Sequence, residues 1–276
     1  MSGRVCIGEE SIICAEVRIE GEGSLTVGKN CYIGQRTMIN AAESVKVEDG
    51  VGIGSDSSIF THGVWVSYLE GLPRKFAPVM IGKNSWIPPR CLILPGVTIG
   101  SDVILATGAV VTKDIPDKTF AGGIPATTIR TLEDLRENVD HGEKDRRVRE
   151  ILLAFANQMG QLVGRAPKAI AFGKGVLYEV PSRAGRDVFS LYYEAGKVCG
   201  DILRLLASSR FRSDELAVVG LEGFTEEAKR LLEKEIPLVW FDLENFTRRR
   251  CWNRLSVLLR DFFRSRYGVR FVLECK

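Results

Sequence analysis

The sequence predicts two structural units, a triangular parallel β-helix over residues 1–130 and a separate α/β domain over residues 146–276. Three observations lead to this prediction. An aliphatic residue recurs at every sixth position through the first 116 residues, glycine often follows it, and after Arg130 the pattern changes to periods typical of helices and longer strands. The charged residues 131–145 are assigned to a connector.

The six-residue frame contains fifteen positions, and every one is Ile, Val or Leu: Ile7, Ile13, Ile19, Val27, Ile33, Ile39, Val47, Ile53, Ile59, Ile81, Ile87, Ile93, Ile99, Leu105 and Val111. A period of six fits neither a helix nor a single long strand. It is typical of short strands joined by tight corners, wound so that every sixth side chain points inward. Three units make one turn, so the frame predicts about five turns. A sandwich of ordinary hairpins would not produce this regularity.

The units fall into groups of three, and the interruptions between the groups are unequal. Two extra residues follow the first and second groups, sixteen (residues 65–80) follow the third, and none separates the fourth from the fifth. All of them therefore leave at one corner of the prism. We expect the sixteen-residue loop to project there, with His62 just before it.

The second place of the unit is occupied by Gly8, Gly28, Gly34, Gly54, Gly82 and Gly100, and in one unit by Asn40. Glycine adopts positive φ without steric cost, and Asn tolerates it better than most residues. We therefore expect the corner backbone to have positive φ at this place.

Composition excludes several classes of protein. The net charge of +3 is too small to indicate a nucleic-acid partner. No apolar run approaches the ~20 residues of a membrane span, and the first residues lack a signal-peptide core, so a cytoplasmic location is expected. The seven cysteines form no C-x-x-C pair, and Cys31 and Cys91 fit the frame as small buried side chains. No metal site is expected.

Four stretches carry a family resemblance: residues 76–87 (FAPVMIGKNSWI), 94–100 (LPGVTIG), 109–116 (AVVTKDIP) and 121–126 (AGGIPA). They resemble the hexapeptide-repeat acyltransferases, specifically the maltose, galactoside and nodulation-type O-acetyltransferases, over about residues 1–130. This resemblance implies a left-handed β-helix, acetyl-CoA as co-substrate, and a homotrimer with its sites in the clefts between adjacent subunits. The shared motifs do not specify the acceptor.

The resemblance also implies a role for His62. In that family a histidine just before the projecting loop is the general base that takes the proton from the acceptor hydroxyl. A base whose pKa lies near the working pH accelerates such a step roughly 10²–10⁴-fold. A structural histidine at the root of the loop is the alternative. Carbonic anhydrases of similar coil fold hold zinc with three histidines, and this chain has only two.

Acceptor contacts are implied at Tyr32 and Asn40, which match places where galactoside-type enzymes contact the sugar, although both could be solvent-facing residues of the coil. The loop sequence adds Trp65 and Tyr68, which could stack on a sugar ring, line an apolar acceptor site or pack against a neighbouring subunit. For the coenzyme, the family places small residues beside the pantetheine arm and cations near the nucleotide. The matching positions are Trp86, Ala106, Gly108, Thr112, Lys113 and Arg130.

The second half has the pattern of an α/β domain. It predicts helices over residues 143–163, 196–208, 225–235 and 246–266, and strands near residues 169–172, 175–179, 188–193, 216–221, 237–243 and 269–274. This order resembles restriction-endonuclease-like domains. Their metal-binding acid and acid-x-Lys pair are not correctly spaced here, since Asp187 is followed by Glu194 and Lys197, so the nuclease site is expected to be lost.

The expected activity is transfer of an acetyl group from acetyl-CoA to a hydroxyl of a sugar or glycan, with His62 as base at a subunit interface. Two alternatives stay open. An amine, such as that of an amino sugar, could be the acceptor in the same site. The coil could instead be a trimeric scaffold that presents a protein- or nucleic-acid-binding C-terminal domain.

Overall fold

A computed structural model of the chain describes residues 3–63, 67–164, 166–181, 188–207, 216–234, 238–248, 254–269 and 271–273. The chain divides into two compact units, residues 1–137 and 138–276. The first unit extends seven residues beyond the predicted boundary at 130. The second begins inside the segment that the sequence assigns to a connector.

Short strands make up the first unit. Before the loop they are β1 (Val5–Ile7), β2 (Ile12–Ile13), β3 (Arg18–Glu20), β4 (Leu25–Val27), β5 (Tyr32–Ile33), β6 (Met38–Asn40), β7 (Val45–Val47), β8 (Gly52–Ile53), β9 (Ser58–Phe60) and β10 (His62–Gly63). After a 3₁₀ helix at Tyr68–Glu70 follow β11 (Lys75–Phe76), β12 (Val79–Ile81), β13 (Trp86–Ile87), β14 (Leu92–Ile93), β15 (Thr98–Ile99), β16 (Ile104–Leu105), β17 (Val110–Val111), β18 (Thr119–Gly123) and β19 (Ala126–Thr131), and a 3₁₀ helix at Glu133–Leu135.

Three sheets take these strands in turn, as a solenoid requires. Sheet A has the order β1-β4-β7-β12-β15, sheet B the order β2-β5-β8-β13-β16-β18-β19, and sheet C the order β3-β6-β9-β14-β17. All pairings in the three sheets are parallel except that of β18 with β19. Frame residues are register partners, for example Val47 with Ile81 and Ile39 with Ile59. The first unit is thus a parallel β-solenoid.

The frame residues form the core of this unit, except at its first turn. From Val27 onward all twelve are buried, whereas Ile7 is 50% exposed and Ile19 39% exposed. These two belong to β1 and β3, which are edge strands of their sheets and have a neighbouring strand on one side only. Of the frame residues in the first turn only Ile13 packs against the core, as a partly buried residue, so the inward packing that the frame predicts is complete from the second turn onward.

The glycines of the second place do not have the predicted backbone conformation. None of the six has positive φ; the left-handed residues lie two places later, at Glu10, Asn30, Arg36, Asp56 and Asn84 among others. The second-place glycines are instead packed against the next turn. A Cβ on Gly82, for example, would lie 2.6 Å from the carbonyl carbon of Gly100. Close approach between turns, rather than φ, therefore explains the glycines.

Cys31 and Cys91 are buried in the solenoid core, which confirms their predicted role as small buried side chains. Burial raises the pKa of both thiols, because a thiolate loses solvation in an apolar interior. Both side chains therefore stay protonated and act as packing groups.

The second unit is a seven-stranded sheet with helices on both faces. Its elements are α1 (His141–Val163), β20 (Lys168–Phe172), β21 (Gly175–Pro181), β22 (Val188–Glu194), α2 (Gly200–Ala207), β23 (Leu216–Gly220), α3 (Glu226–Lys234), β24 (Val239–Asp242), β25 (Thr247–Arg248), α4 (Arg254–Tyr267) and β26 (Val272–Leu273). The strands are ordered as in the sequence, with β22, β23 and β24 parallel. Alternate residues of β23 face two separate cores, one shared with α1 and α4, the other with α2 and α3.

The helix predicted over residues 246–266 is wrong at its start. The Asp242 carboxylate accepts hydrogen bonds from the backbone N–H groups of Glu244 (2.9 Å) and Asn245 (3.0 Å), which forms a turn after β24. Phe246 in this turn has a φ of 51°. The chain therefore reverses into β25, antiparallel to β24, and α4 begins at Arg254.

Candidate functional site

The longest interruption of the solenoid leaves sheet C, and His62 lies at its root. The preceding strand β9 ends at Phe60, and Thr61 then anchors the chain. Its hydroxyl donates to the carbonyl oxygen of Asn40 (2.9 Å) and accepts from the backbone N–H of Glu43 (2.9 Å). Thr61 is fully buried. Its bonds fix the backbone of the residue just before His62.

The loop closes on itself as a short antiparallel ladder. In this ladder His62 is the register partner of Phe76, and Gly63 that of Lys75. The backbone N–H of Ala77 donates to the carbonyl oxygen of Thr61 (2.9 Å), which continues the ladder back to the solenoid. The imidazole and the Phe76 ring are stacked, with centroids 5.7 Å apart and planes inclined by 25°.

Two buried polar atoms in this region have no hydrogen-bond partner among the described residues: Nδ1 of His62 and Oδ1 of Asn40. Asn40 is the register partner of Phe60, two residues before His62. Most buried polar groups in folded proteins are hydrogen-bonded, so an unpaired one calls for an explanation such as a catalytic or binding role. Both atoms belong to side chains that the sequence assigns to the site.

The other acceptor residues are placed as follows. Tyr32 lies on β5 of sheet B and is 36% exposed. Tyr68 begins the 3₁₀ helix of the loop and is 61% exposed, and the guanidinium of Arg74 lies 4.7 Å from its ring centroid. Trp65 lies outside the described residues. Tyr68 thus belongs to the same loop as His62, whereas Tyr32 lies on another sheet.

The residues assigned to the coenzyme occupy sheets B and C. Trp86, half-buried, stands between Gly52 and Ile104 in one row of sheet B. Ala106 follows β16, and its backbone N–H donates to the carbonyl oxygen of Ala121 (2.7 Å). Gly108 has a φ of 76°, and a Cβ built on it would have no heavy atom within 4 Å.

Three further coenzyme candidates differ in exposure. Thr112 is half-buried and Lys113 exposed, just after the end of β17 in sheet C. Arg130 is exposed on β19 as the register partner of Phe120. The hydroxyl and backbone N–H of Thr131 lower the pKa of Asp134, and the charge of Arg130 lowers it further. Thr112, Lys113 and Arg130 thus each have a hydrogen-bond donor in a half-buried or exposed side chain.

Tyr32 and Trp86 lie on strands of sheet B and Ala106 directly follows one, whereas His62, Thr112 and Lys113 follow strands of sheet C. The candidates therefore form two groups, on different sheets of one solenoid. Phe76 is the contact that sequence reasoning missed. Its only signal was an aromatic residue just before the point where the frame resumes.

In the second unit, the structure describes one of the two acidic residues that the sequence compares with a nuclease motif. Glu194 is buried and accepts a hydrogen bond from the hydroxyl of Tyr192 (2.8 Å), while Asp187 lies outside the described residues. Nowhere in the described chain do three His, Cys, Asp or Glu side chains come together as metal ligands could. The helices described here are also too short or too polar to cross a bilayer.

Comparison with known proteins relates the first unit to transferases. Residues 78–113 match the family model "Bacterial transferase hexapeptide (six repeats)", and residues 24–60 match "Hexapeptide repeat of succinyl-transferase". Galactoside O-acetyltransferase of Escherichia coli (strain K12) is 31% identical over 130 residues, which are 46% of this chain and 64% of the relative. A Saccharomyces cerevisiae protein with an acetyltransferase name is 34% identical over 114 residues, 40% of this chain and 58% of that protein.

Two solved structures are similar to this chain over part of its length. A galactoside acetyltransferase in complex with coenzyme A is 27% identical, with a TM-score of 0.45 over 50% of this chain and 70% of that one. A hexapeptide-repeat acetyltransferase from Vibrio cholerae, complexed with acetyl coenzyme A, is 26% identical, with a TM-score of 0.42 over 46% and 70%. The chain spans less than two thirds of the length of the curated relatives above. The first unit thus matches hexapeptide-repeat transferase models in two stretches, and it is similar to proteins with acetyltransferase names.

Proposed function

We propose that this protein transfers an acetyl group from acetyl-CoA to a hydroxyl of a sugar or glycan, with His62 as the general base. One observation carries the proposal: His62 lies at the root of the loop that interrupts the repeat, and its buried Nδ1 has no hydrogen-bond partner among the described residues. The hexapeptide-transferase models that match two stretches of the first unit, and the name of its galactoside relative, support the reaction class.

In the proposed reaction, Nε2 of His62 takes the proton of the acceptor hydroxyl while the hydroxyl oxygen attacks the acetyl carbonyl. The carbon–sulfur bond of the thioester breaks, and the thiolate takes the proton back from the imidazolium as it leaves. The products are the acetyl ester and free coenzyme thiol. His62 is needed because a neutral hydroxyl is a weak nucleophile at neutral pH.

On the acceptor side we assign Asn40 the clearest role. Its buried Oδ1 has an unused acceptor site, which a hydroxyl of the sugar could fill. Tyr68 and Tyr32 are exposed aromatic rings, suited to stacking on the apolar face of a sugar ring. Trp65 is retained as a proposed contact on the basis of sequence alone.

On the coenzyme side the residues present fit a slender chain laid along the solenoid. The space beside Gly108, where a Cβ would meet nothing, leaves room for such a chain, and Ala106 next to it is small. Trp86 provides an apolar flank, Thr112 a hydroxyl donor, and Lys113 with Arg130 the cations that would meet phosphates.

We further propose that the solenoid is left-handed with five coils, and that the protein is a homotrimer. The two groups of candidate residues lie on different sheets of one solenoid. A cleft between two adjacent subunits would bring sheet B of one copy to the His62 loop of the next. In this arrangement each active site would combine one group from each of two chains.

Replacement of His62 tests the proposal, since the loss of a general base predicts a fall in kcat of roughly 10²–10⁴-fold. We would measure transfer from acetyl-CoA to a panel of sugars and amino sugars with wild-type protein and His62→Ala. The matched control is His141→Ala, because His141 is the other histidine and lies in the second unit, paired with Glu222 (3.0 Å). A His62→Ala protein that retains the wild-type rate would contradict the mechanism. A preference for amines over hydroxyls would contradict the assignment of a hydroxyl acceptor.

A further inference from the structure

The imidazole of His62 is oriented by an aromatic ring rather than by a hydrogen bond. In the described part of the chain His62 makes no side-chain hydrogen bond and no ion pair, and its buried Nδ1 is unpaired. Its ring stacks on the ring of Phe76, at 5.7 Å between centroids and 25° between planes. Since a histidine base is ordinarily held in place by a hydrogen bond to its second nitrogen, another contact must do this here.

Phe76 reaches this position through the backbone. The antiparallel ladder at the loop base makes His62 and Phe76 register partners, so their side chains leave the same face of the two-stranded ribbon. The ladder continues into the bond between Ala77 and Thr61, and Thr61 is itself held by its hydroxyl. The stack is therefore built on a fixed backbone, although Phe76 is 48% exposed.

We propose that Phe76 is a positioning residue for His62, holding the imidazole plane so that Nε2 faces the acceptor hydroxyl. This rests on the proposed function, since it assigns Phe76 a part in the same proton transfer. The stack has a second consequence. When the imidazole accepts the proton it becomes a cation within about 6 Å of an aromatic centroid, a favourable arrangement. Phe76 therefore acts mainly in the transition state.

Kinetics of three variants test the role. Phe76→Leu keeps apolar bulk and the backbone ladder but removes the ring; we expect kcat to fall about threefold to tenfold with the KM for the acceptor little changed. Phe76→Tyr keeps the ring and should restore the wild-type kcat. Leu69→Ala is the matched control, because it removes a 97% exposed apolar side chain from the same loop. Wild-type kcat in Phe76→Leu would overturn the proposal, as would a loss that Phe76→Tyr does not restore.

Nuclear magnetic resonance tests the stack without relying on activity. The chain has two histidines, so a His141→Gln background leaves His62 as the only one. The ring current of Phe76 should shift the resonances of the carbon-bound ring protons of His62. We expect this change in chemical shift to remain in Phe76→Tyr and to disappear in Phe76→Leu. Unchanged resonances in Phe76→Leu would overturn the stack. An active His62→Ala enzyme would refute the proposed function while leaving this spectroscopic result intact.

Discussion

At the scale of single residues, the candidate site contains buried polar atoms without a hydrogen-bond partner among the described residues. Oδ1 of Asn40 is buried without a hydrogen-bond partner among the described residues, while its backbone oxygen accepts two hydrogen bonds from Thr61. A buried acceptor without a partner costs roughly 1–3 kcal/mol. A bound molecule that donates a hydrogen bond to Oδ1 would remove this cost.

Replacing Asn40 with Leu, which has nearly the same shape, separates these effects. The change removes an unpaired buried group, so the free energy of unfolding should stay the same or rise by up to about 1 kcal/mol. The acceptor would lose a hydrogen bond, so its KM should rise roughly fivefold or more. Denaturant unfolding and steady-state kinetics would measure the two quantities. Large destabilisation with an unchanged KM would show that Asn40 is structural.

Among single residues, the sequence predicts the place of His62 at the root of the loop, because the frame stops there. Its role as a base stays a prediction. Phe76 could not be assigned a role, because its contact with His62 depends on the loop folding back as an antiparallel ribbon. The frame carries no information about the path of the loop.

At the scale of elements, the solenoid depends on close approach between turns. The six-residue pattern correctly predicts which side chains point inward from Val27 to Val111. It does not reveal why glycine follows them. The structure shows that left-handed φ occurs at other places, filled by residues such as Asn30 and Arg36, while the second-place glycines are held against neighbouring backbone.

Two glycine variants distinguish these causes. Gly82→Ala would place a Cβ 2.6 Å from backbone atoms of Gly100 and Ser101, so the turns must separate, and we expect destabilisation of about 1–3 kcal/mol. Gly108→Asn is the control, because its φ of 76° suits Asn and open space surrounds the new side chain. Denaturant unfolding followed by circular dichroism would compare them. A larger loss of unfolding free energy in Gly108→Asn than in Gly82→Ala would indicate that backbone conformation, rather than close approach, determines the stability of the solenoid.

At the scale of the whole molecule, each unit has its own core and its own sheets. Both matches to family models lie in the first unit, and the second unit is an α/β sheet with parallel central strands. Within one solenoid the candidate residues stay divided between sheets B and C. In the proposed trimer, a cleft between two copies of the chain would combine candidates from both sheets.

Sedimentation equilibrium tests this requirement. We expect a particle of three times the mass of one chain at concentrations where the enzyme is active. Complementation of two inactive variants gives a sharper test. His62→Ala and Trp86→Ala chains would be mixed and allowed to exchange into common trimers. Part of the activity should return, because some clefts then combine an intact His62 with an intact Trp86. A fully active monomer would contradict the shared site.

The sequence by itself determined the solenoid, its inward-facing residues and the position of His62, because these depend on a local repeat and on its interruption. It also predicted most elements of the second unit, since each is one run of helical or strand period. Only the tertiary structure decided the reason for the second-place glycines, the turn that brings β25 back against β24, and the stack of Phe76 on His62. Each of these depends on how distant segments of the chain approach one another in space, which a local pattern does not encode.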